Sequence, residues 1–291
     1  MRKKIYLYLT GGLGNQLFQY SCAKNLAINL NADLIIEDRL GFINDGIFKR
    51  KIELPKNLYY KKISTKERII FLFLLFIKKI FYRKKIYINY KNSIIIDETN
   101  EKKFIKNFFY ITNSCKKIYL VGFFQSEKYF IDNKDIIINK IRKNAIKNKS
   151  LVHLSKAINK KSLMIGMRFF EEAPIKIRKN FGGIEFIKFF NHAIKKMNTK
   201  CKFKKAYVFT TSLNNKLIKN KLNLKSIIIN PSNGYNGTSL DNILIISKFK
   251  NFIISNSSFY WWGAYLSSYK TKIKIIASNK FKNQDTLPSG W

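Results

Sequence analysis

The sequence predicts an α/β protein of two Rossmann-type lobes that face each other across a cleft. Three observations carry that expectation. Short apolar runs alternate with stretches of helical spacing, the pattern of a parallel, doubly wound sheet. The alternation comes in two series, with a transition near residue 150. Polar residues gather where the apolar runs end, which is where an open parallel sheet holds its ligand.

In the first series, residues 5–9 read as a strand, residues 17–30 as a helix and residues 34–36 as a second strand. Gly11, Gly12 and Gly14 lie between the first two, so this is a βαβ start with its turn at the glycines. A Lys-rich, poorly patterned middle covers residues 41–150. The second series opens with "SLMIGMRF", a strand ending near Arg168. "GIEFIKFFNHAIKKM" is a helix with apolar positions at Ile184, Ile187, Phe190 and Ile194. "AYVFT" is a strand ending at Thr210, and "SIIIN" one ending at Asn230. "SLDNILIISKF" is a helix with Ser239 as N-cap, "NFIIS" a strand ending at Ser255, "SFYWWGAYL" a short helix and "KIKIIA" a last strand. The expected domains are therefore 1–150 and 151–291.

Composition sets bounds on function. A chain of 291 residues with 46% hydrophobic residues can bury a real core, so disorder is not the default. The net charge is +39, and only eight of the 56 basic residues are Arg. Such charge points either to an acidic partner or to a bias of the whole proteome, since charge speaks to association rather than to fold. Cys22, Cys115 and Cys201 show no CxxC spacing, which argues for a reducing compartment over a disulfide framework. His153 and His192 have no partner at metal-ligand spacing. "MRKKIYLYLTGG" is too short in apolar residues for a signal-peptide core and reads as a first strand. One segment raises the membrane: "RIIFLFLLFIKKIFYRKK", residues 68–85. Its apolar run falls far below the roughly 20 residues needed to span a bilayer. It reads either as a buried helix or as an interfacial helix whose cationic rim is drawn to anionic lipid.

The strand-end rule selects candidate ligand groups. The first series offers residues 10–16, with Gly12, Gly14, Asn15 and Gln16 foremost. The second offers Arg168, Thr210, Thr211, Ser212, Pro231, Ser232, Ser255, Asn256, Ser257 and Ser258, with Phe259 following. Hydroxyls, amides, helix-start N–H groups and a single guanidinium suit a diphosphate, and no carboxylate pair offers to hold a metal. A dinucleotide fingerprint is incomplete, because bulky Leu17 stands where close packing wants a small residue, although Glu37 or Asp38 could imitate the ribose-binding acid. A phosphate loop of the Gly-Lys-Ser/Thr type is absent.

Three stretches, "GGLGNQLFQY", "VGFFQSEKYF" and "ISNSSFYWWGAYL", resemble in content and spacing the landmarks of the α-1,2-fucosyltransferases, glycosyltransferase family 11. "DRLGFINDGIFKRKIEL" and the terminal "TLPSGW" resemble that family too, so the likeness covers essentially the whole chain. It implies a GT-B-like fold with the acceptor side in residues 1–150 and the donor side in 151–291. It further implies GDP-fucose as donor, no metal or other cofactor, inversion at the anomeric carbon, and a galactose hydroxyl on a glycan, lipid-linked in some settings, as acceptor. For a bacterial enzyme this means cytoplasmic work on surface polysaccharide, and the charge and the 68–85 segment fit peripheral contact at the inner face of the cell membrane. The family's His-x-Arg-Arg-Gly-Asp pattern is only partly kept: Gly166 replaces the His and Phe169 the second Arg, while Arg168 and the acidic Glu171 remain. Arg168, the helix start at Ser257 and Ser258 and the amides of Asn15 and Gln16 are expected to hold the departing diphosphate, and Glu171 or Glu172 to act as base. Trp261 and Trp262 are expected in the core. Three alternatives stand beside this reading. One is a transferase using another nucleotide sugar on the same scaffold. A second is a basic nucleic-acid-binding protein, which the scattered lysines and missing recognition module disfavour. The third is a nicotinamide-dependent oxidoreductase.

Overall fold

The first apolar run folds as β1 (Lys4–Tyr8) and feeds α1 (Leu13–Asn29), a helix buried on nearly every side. The structure is a computed structural model, and it describes residues 2–43, 45–58, 60–171, 173–175, 178, 187–211, 215–269 and 271–291. Helix α1 starts four residues before the sequence pattern suggests, with Gly12 as N-cap. The reason is that Gln16 and Gln19 are polar yet fully buried, so the apolar period read from the sequence begins only at Leu17. Gly11 makes the turn at φ +77°, a region that favours glycine.

The chain divides into two units, Met1–Ile141 with Lys282–Pro288, and Arg142–Phe281 with Ser289–Trp291. The division thus falls before residue 150, and a short C-terminal stretch belongs to the first unit. After α1 the first unit continues through β2 (Asp33–Glu37), α2 (Leu40–Ile43), β3 (Lys61–Lys62), α3 (Thr65–Phe81), β4 (Tyr87–Tyr90), β5 (Ser93–Asp97), α4 (Phe108–Asn113), β6 (Lys117–Val121) and α5 (Lys134–Arg142). Its sheet has the order β3-β2-β1-β6-β5-β4, with β4 antiparallel to β5 and the other pairings parallel. The poorly patterned middle therefore holds two central strands, "SIIID" and "KIYLV", each with three buried residues between half-buried ends. Helix α3 opens with a capping box: Ser64 and Glu67 exchange side-chain to backbone bonds, satisfying two helix-start N–H groups. Its Phe71, Leu74 and Leu75 pack onto Tyr6, Ile35, Ile95 and Tyr119 of the sheet.

The second unit runs through α6 (Lys149–Ala157), β7 (Ser162–Met167), α7 (Ile187–Lys200), β8 (Lys205–Thr210), α8 (Asn215–Lys221), β9 (Ser226–Ile229), α9 (Ser239–Ile246), β10 (Asn251–Ile254), α10 (Ser258–Ser268) and β11 (Lys274–Ala277). The sheet is parallel throughout, in the order β11-β10-β7-β8-β9. Strand β7 is buried at every position, as a central parallel strand should be. The cap of α9 is Thr238, one residue before the expected Ser239, because Thr238 and Asp241 form a capping box. Ile184, at the expected start of α7, lies outside the described residues. Both units are Rossmann-like, as the alternation predicted.

Candidate active site

In the first sheet the chain winds outward from β1 through β2 to β3 but inward from β4 through β5 to β6; in the second it winds outward in both directions from one central pair of strands. Ligands of doubly wound sheets bind beyond the carboxyl ends of such a pair, at the topological switch point. In the second unit that pair is β7 and β10, with Gly166 opposite Ile254. Arg168 follows β7 and Ser255–Phe259 follow β10, so the sheet delivers both to the same edge. The backbone ladder extends one step further, with Ser255 N–H donating to Gly166 O at 3.0 Å.

Arg168 is half-buried; its Nη1 donates to Thr211 Oγ1 at 2.7 Å, and its guanidinium carbon lies 4.6 Å from the centre of the Phe170 ring. Phe170 has φ +55°, a left-handed conformation that a bulky residue seldom adopts. Its carbonyl accepts from Ala173 N–H at 2.9 Å, closing a tight turn directly after Arg168. Such strain concentrates at ligand-holding turns. Thr210, at the end of β8, is buried, and Glu171 is exposed. Glu172 and Ser212 lie outside the described residues. Ser257 is the N-cap of α10 but makes no side-chain cap bond, and Trp261 N–H makes the first intrahelical bond to Ser257 O at 2.9 Å. A helix start leaves its first N–H groups without acceptors inside the helix and carries partial positive charge. Just before it, Ser255 Oγ and Asn256 Oδ1 are buried without a hydrogen-bond partner among the described residues, while Asn256 Nδ2 donates to Lys280 O at 3.1 Å. Ser258 and Phe259 are half-buried at the rim.

The departure at Gly166 has a packing cause. A Cβ at this position would come within 2.5 Å of the Tyr260 ring. Tyr260 is buried and its hydroxyl donates within reach of both Phe209 O, at 2.8 Å, and Met167 O, at 3.0 Å. Burial drives its pKa up, so it stays a neutral donor. The ring thus occupies the space that a larger side chain at 166 would need. Phe169 points into the core at 5% exposure. Trp261 and Trp262 are fully buried, with Trp261 stacked on Tyr265 at 4.3 Å, as expected for core residues.

In the first unit the corresponding edge lies beyond the carboxyl ends of the central neighbours β1 and β6. Gln19 is buried and bridges the two exits: its Oε1 accepts from Thr10 N–H at 3.1 Å and its Nε2 donates to Gly122 O at 3.0 Å. Asn15 Oδ1 accepts from Gln125 Nε2 at 2.8 Å, a second link across the pair. Gly122 has φ +133°, and a Cβ there would strike Glu98 at 2.7 Å. The Glu98 carboxylate accepts from Phe123 and Phe124 N–H at 2.9 and 3.1 Å and faces Asn283. Burial lifts its pKa to about 7 against the opposing pull of these bonds.

Two expectations for the glycine loop are corrected here. Gln16 does not face a ligand: its Nε2 donates to Gly11 O at 2.7 Å and Lys51 O at 2.8 Å, and its Oε1 accepts from Glu53 N–H at 2.8 Å. Gly14 is buried in the first turn of α1 rather than displayed on a loop. The helix start itself holds an internal anion, since Leu13 N–H donates to Glu53 Oε2 at 3.2 Å. Gly12 and Asn15 remain half-buried at the rim, and a Cβ at Gly12 would lie 3.3 Å from Arg50 Nη1. Glu37 is no ribose acid either: it is 1% exposed and engaged by Arg68 Nε at 3.0 Å and Leu40 N–H at 2.8 Å.

Sequence reasoning missed Gln19, Gln125, Glu98, Glu53, Arg50 and Tyr260. Gln19 and Gln125 sit inside "GGLGNQLFQY" and "VGFFQSEKYF", where an amide among aromatics was the available signal. Glu53 and Glu98 act across sequence separations of 40 and 25 residues, which no local pattern reports.

Comparison with known proteins gives a consistent picture. The model of glycosyl transferase family 11 matches residues 4–291. The O-antigen biosynthesis glycosyltransferase WbnK of Escherichia coli is 24% identical over 287 residues, covering 93% of each chain. An alpha-1,2-colitosyltransferase of Escherichia coli is 26% identical over 304 residues, covering 97% of this chain and 96% of that protein. Among solved structures, a mutant of Arabidopsis thaliana FUT1 in complex with GDP superposes with a TM-score of 0.53 at 13% identity, covering 97% of this chain and 72% of that one. That last likeness is one of fold, and it agrees with the GT-B-like architecture expected above.

Proposed function

Because the chain belongs to glycosyl transferase family 11, we propose that it transfers fucose from GDP-fucose to a galactose or similar hydroxyl of a bacterial surface glycan, in α-1,2 linkage and without a metal ion. That it is a glycosyltransferase follows from the family. The observation that carries the finer reading is the second unit's switch point, where Arg168 and the start of α10 leave the sheet on neighbouring strands.

The chemistry is a single displacement. The acceptor oxygen attacks the anomeric carbon while the bond from that carbon to the β-phosphate oxygen breaks. GDP leaves with the electron pair, the acceptor's proton passes to a base, and the configuration inverts. The charge growing on the diphosphate meets the Arg168 guanidinium and the positive end of α10, with Ser255, Asn256, Ser257, Ser258 and Phe259 around it and Thr210 and Thr211 beside Arg168. These groups are held before the reaction, so they need not reorganise as charge moves. Glu171, exposed and close behind Arg168 in the chain, is the candidate base. In the first unit, Gly12 and Asn15 form a rim suited to a neutral sugar, because Glu53 already occupies the α1 start. The acceptor is read as carried on a lipid at the inner face of the cell membrane.

A second reading keeps the scaffold and changes the donor sugar. The relative named for colitose transfer supports it, as do Gly166 and Phe169, which reshape the stretch around Arg168. A donor screen separates the two: purified protein with GDP-fucose, other GDP-sugars and UDP-sugars in EDTA, following nucleotide release and product linkage. GDP-fucose turnover giving an α-1,2 product is expected. Turnover with a different sugar nucleotide alone would favour the second reading, and strict dependence on a divalent cation would contradict the site.

A further inference from the structure

Helix α3 is apolar on two opposite sides. Phe71, Leu74, Leu75 and Lys78 face inward. At ~100° per residue, Ile69, Leu72, Phe73, Phe76 and Ile80 make a second stripe about half a turn away. That stripe is open to solvent, with Phe73 58%, Phe76 60%, Ile69 63% and Ile80 54% exposed, and Phe81 just beyond at 70%. A surface helix of a water-soluble domain ordinarily carries charge on that side, and a contiguous apolar patch with a polar rim marks an interaction surface.

The rim is cationic. Lys66, Lys79, Arg83, Lys84 and Lys85 border the stripe and are exposed or half-buried along α3 and the turn after it. Beside it, a hollow of about 460 Å³ has Ile70, Phe73, Leu74 and Tyr90 as its apolar wall and Arg2, Lys4, Lys91, Lys116 and Lys117 around them. Tyr82, Tyr87 and Tyr90 are exposed at the same edge, and Lys85 and Lys91 lie over the Tyr82 and Tyr90 rings at 5.2 and 5.7 Å. Amphipathic tyrosines and snorkelling lysines are the side chains that sit at a water–hydrocarbon boundary. No helix among the described residues is long and apolar enough to cross a membrane.

We infer that the outer face of α3, with the adjoining β4–β5 edge, docks the protein on an anionic lipid bilayer. The helix lies in the interface with Phe73, Phe76, Ile69 and Ile80 among the acyl chains and the lysines among lipid phosphates. Charge complementarity selects this occupant: a second copy of a chain of net charge +39 would bring like-charged rims together, whereas an anionic surface neutralises them. The inference rests on the first unit's surface and not on the donor site, so either can fail without the other.

The test is flotation of the full-length protein with vesicles of phosphatidylcholine alone or with about one third phosphatidylglycerol, a surface charge that draws lysine-rich faces. The expected result is recovery with the anionic vesicles, little with the neutral ones, and loss as salt rises. Phe73→Ser with Phe76→Ser should lower partitioning at least about tenfold, given the apolar area of two phenylalanines. Circular dichroism and nucleotide release on a soluble acceptor should stay unchanged, since neither residue lies in the core or the site. Lys79→Glu with Lys84→Glu should also weaken binding while leaving the stripe intact. Failure of the wild-type protein to float, or equal flotation of the phenylalanine variant, would overturn the inference. A dimer seen by light scattering that the same variant dissolves, without vesicle binding, would reassign the face to self-association.

Discussion

The strand-end edges of the two units share features and differ in what occupies them. Both stand beyond the carboxyl ends of a central parallel strand pair, and both have a phenylalanine at positive φ, Phe124 at +51° and Phe170 at +55°. In the first unit the polar groups are spent on one another: Gln16 on three backbone groups, Gln19 across the strand pair, Asn15 on Gln125, and Glu53 on the start of α1. In the second unit the start of α10 has no side-chain cap and two buried oxygens, Ser255 Oγ and Asn256 Oδ1, lack a partner among the described residues. A helix start that already holds a carboxylate is a poor host for a diphosphate, and one beside an arginine is a better one. A glycine-rich turn therefore marks a sharp bend and not, by itself, a phosphate site.

The contrast can be broken or sharpened by mutation, taken here in order of effect on catalysis. Arg168→Ala should lower turnover by about 10²–10³-fold, the usual cost of one group that meets developing charge, with the melting temperature nearly unchanged. Near-normal turnover would remove Arg168 from the mechanism. Ser258→Asp copies the first unit's arrangement into the second and should weaken GDP binding by about tenfold, from the charge of one carboxylate at a helix start. Its mirror, Glu53→Gln, should leave GDP affinity within about twofold, because no diphosphate is assigned there. Titration calorimetry reads both, and a reversed pair of results would exchange the roles of the units. Gly166→His restores the family's residue but meets the Tyr260 ring, so thermal denaturation should show a loss of about 1–3 kcal/mol or more. Unchanged stability would mean that Tyr260 yields freely.

The smallest effect on turnover belongs to Glu98, where pH is the probe. Its folded pKa of about 7 is above the ordinary 4.5, so the folded state binds its proton more tightly than the unfolded chain does. The stability this group contributes is full below about pH 4.5 and lost as pH rises through about 7. Glu98→Gln should flatten that decline in denaturation curves taken between those values. An unchanged slope would show that the carboxylate is not held in its neutral form.

Much of this was legible in the sequence, for a physical reason. Parallel strands buried on both faces must be short apolar runs, so β1, β7, β8 and β10 announce themselves, and strand ends then point to Arg168 and to the serines before α10. The rest was hidden where tertiary contacts override local pattern. Gln16 reads as a ligand amide on the loop, yet it and Gln19 are buried clamps. Strands β5 and β6 are masked by the lysines around them. The run at residues 69–77 reads as one apolar block, and only the fold divides it into an inward and an outward face.

The most direct test of the central contrast is a crystal structure of the protein with GDP bound. The phosphate oxygens should lie within hydrogen-bond reach of the Arg168 guanidinium and of the first N–H groups of α10, with Glu53 still on Leu13. Phosphates seated instead at Gly12 and Leu13, with Glu53 displaced, would contradict the account.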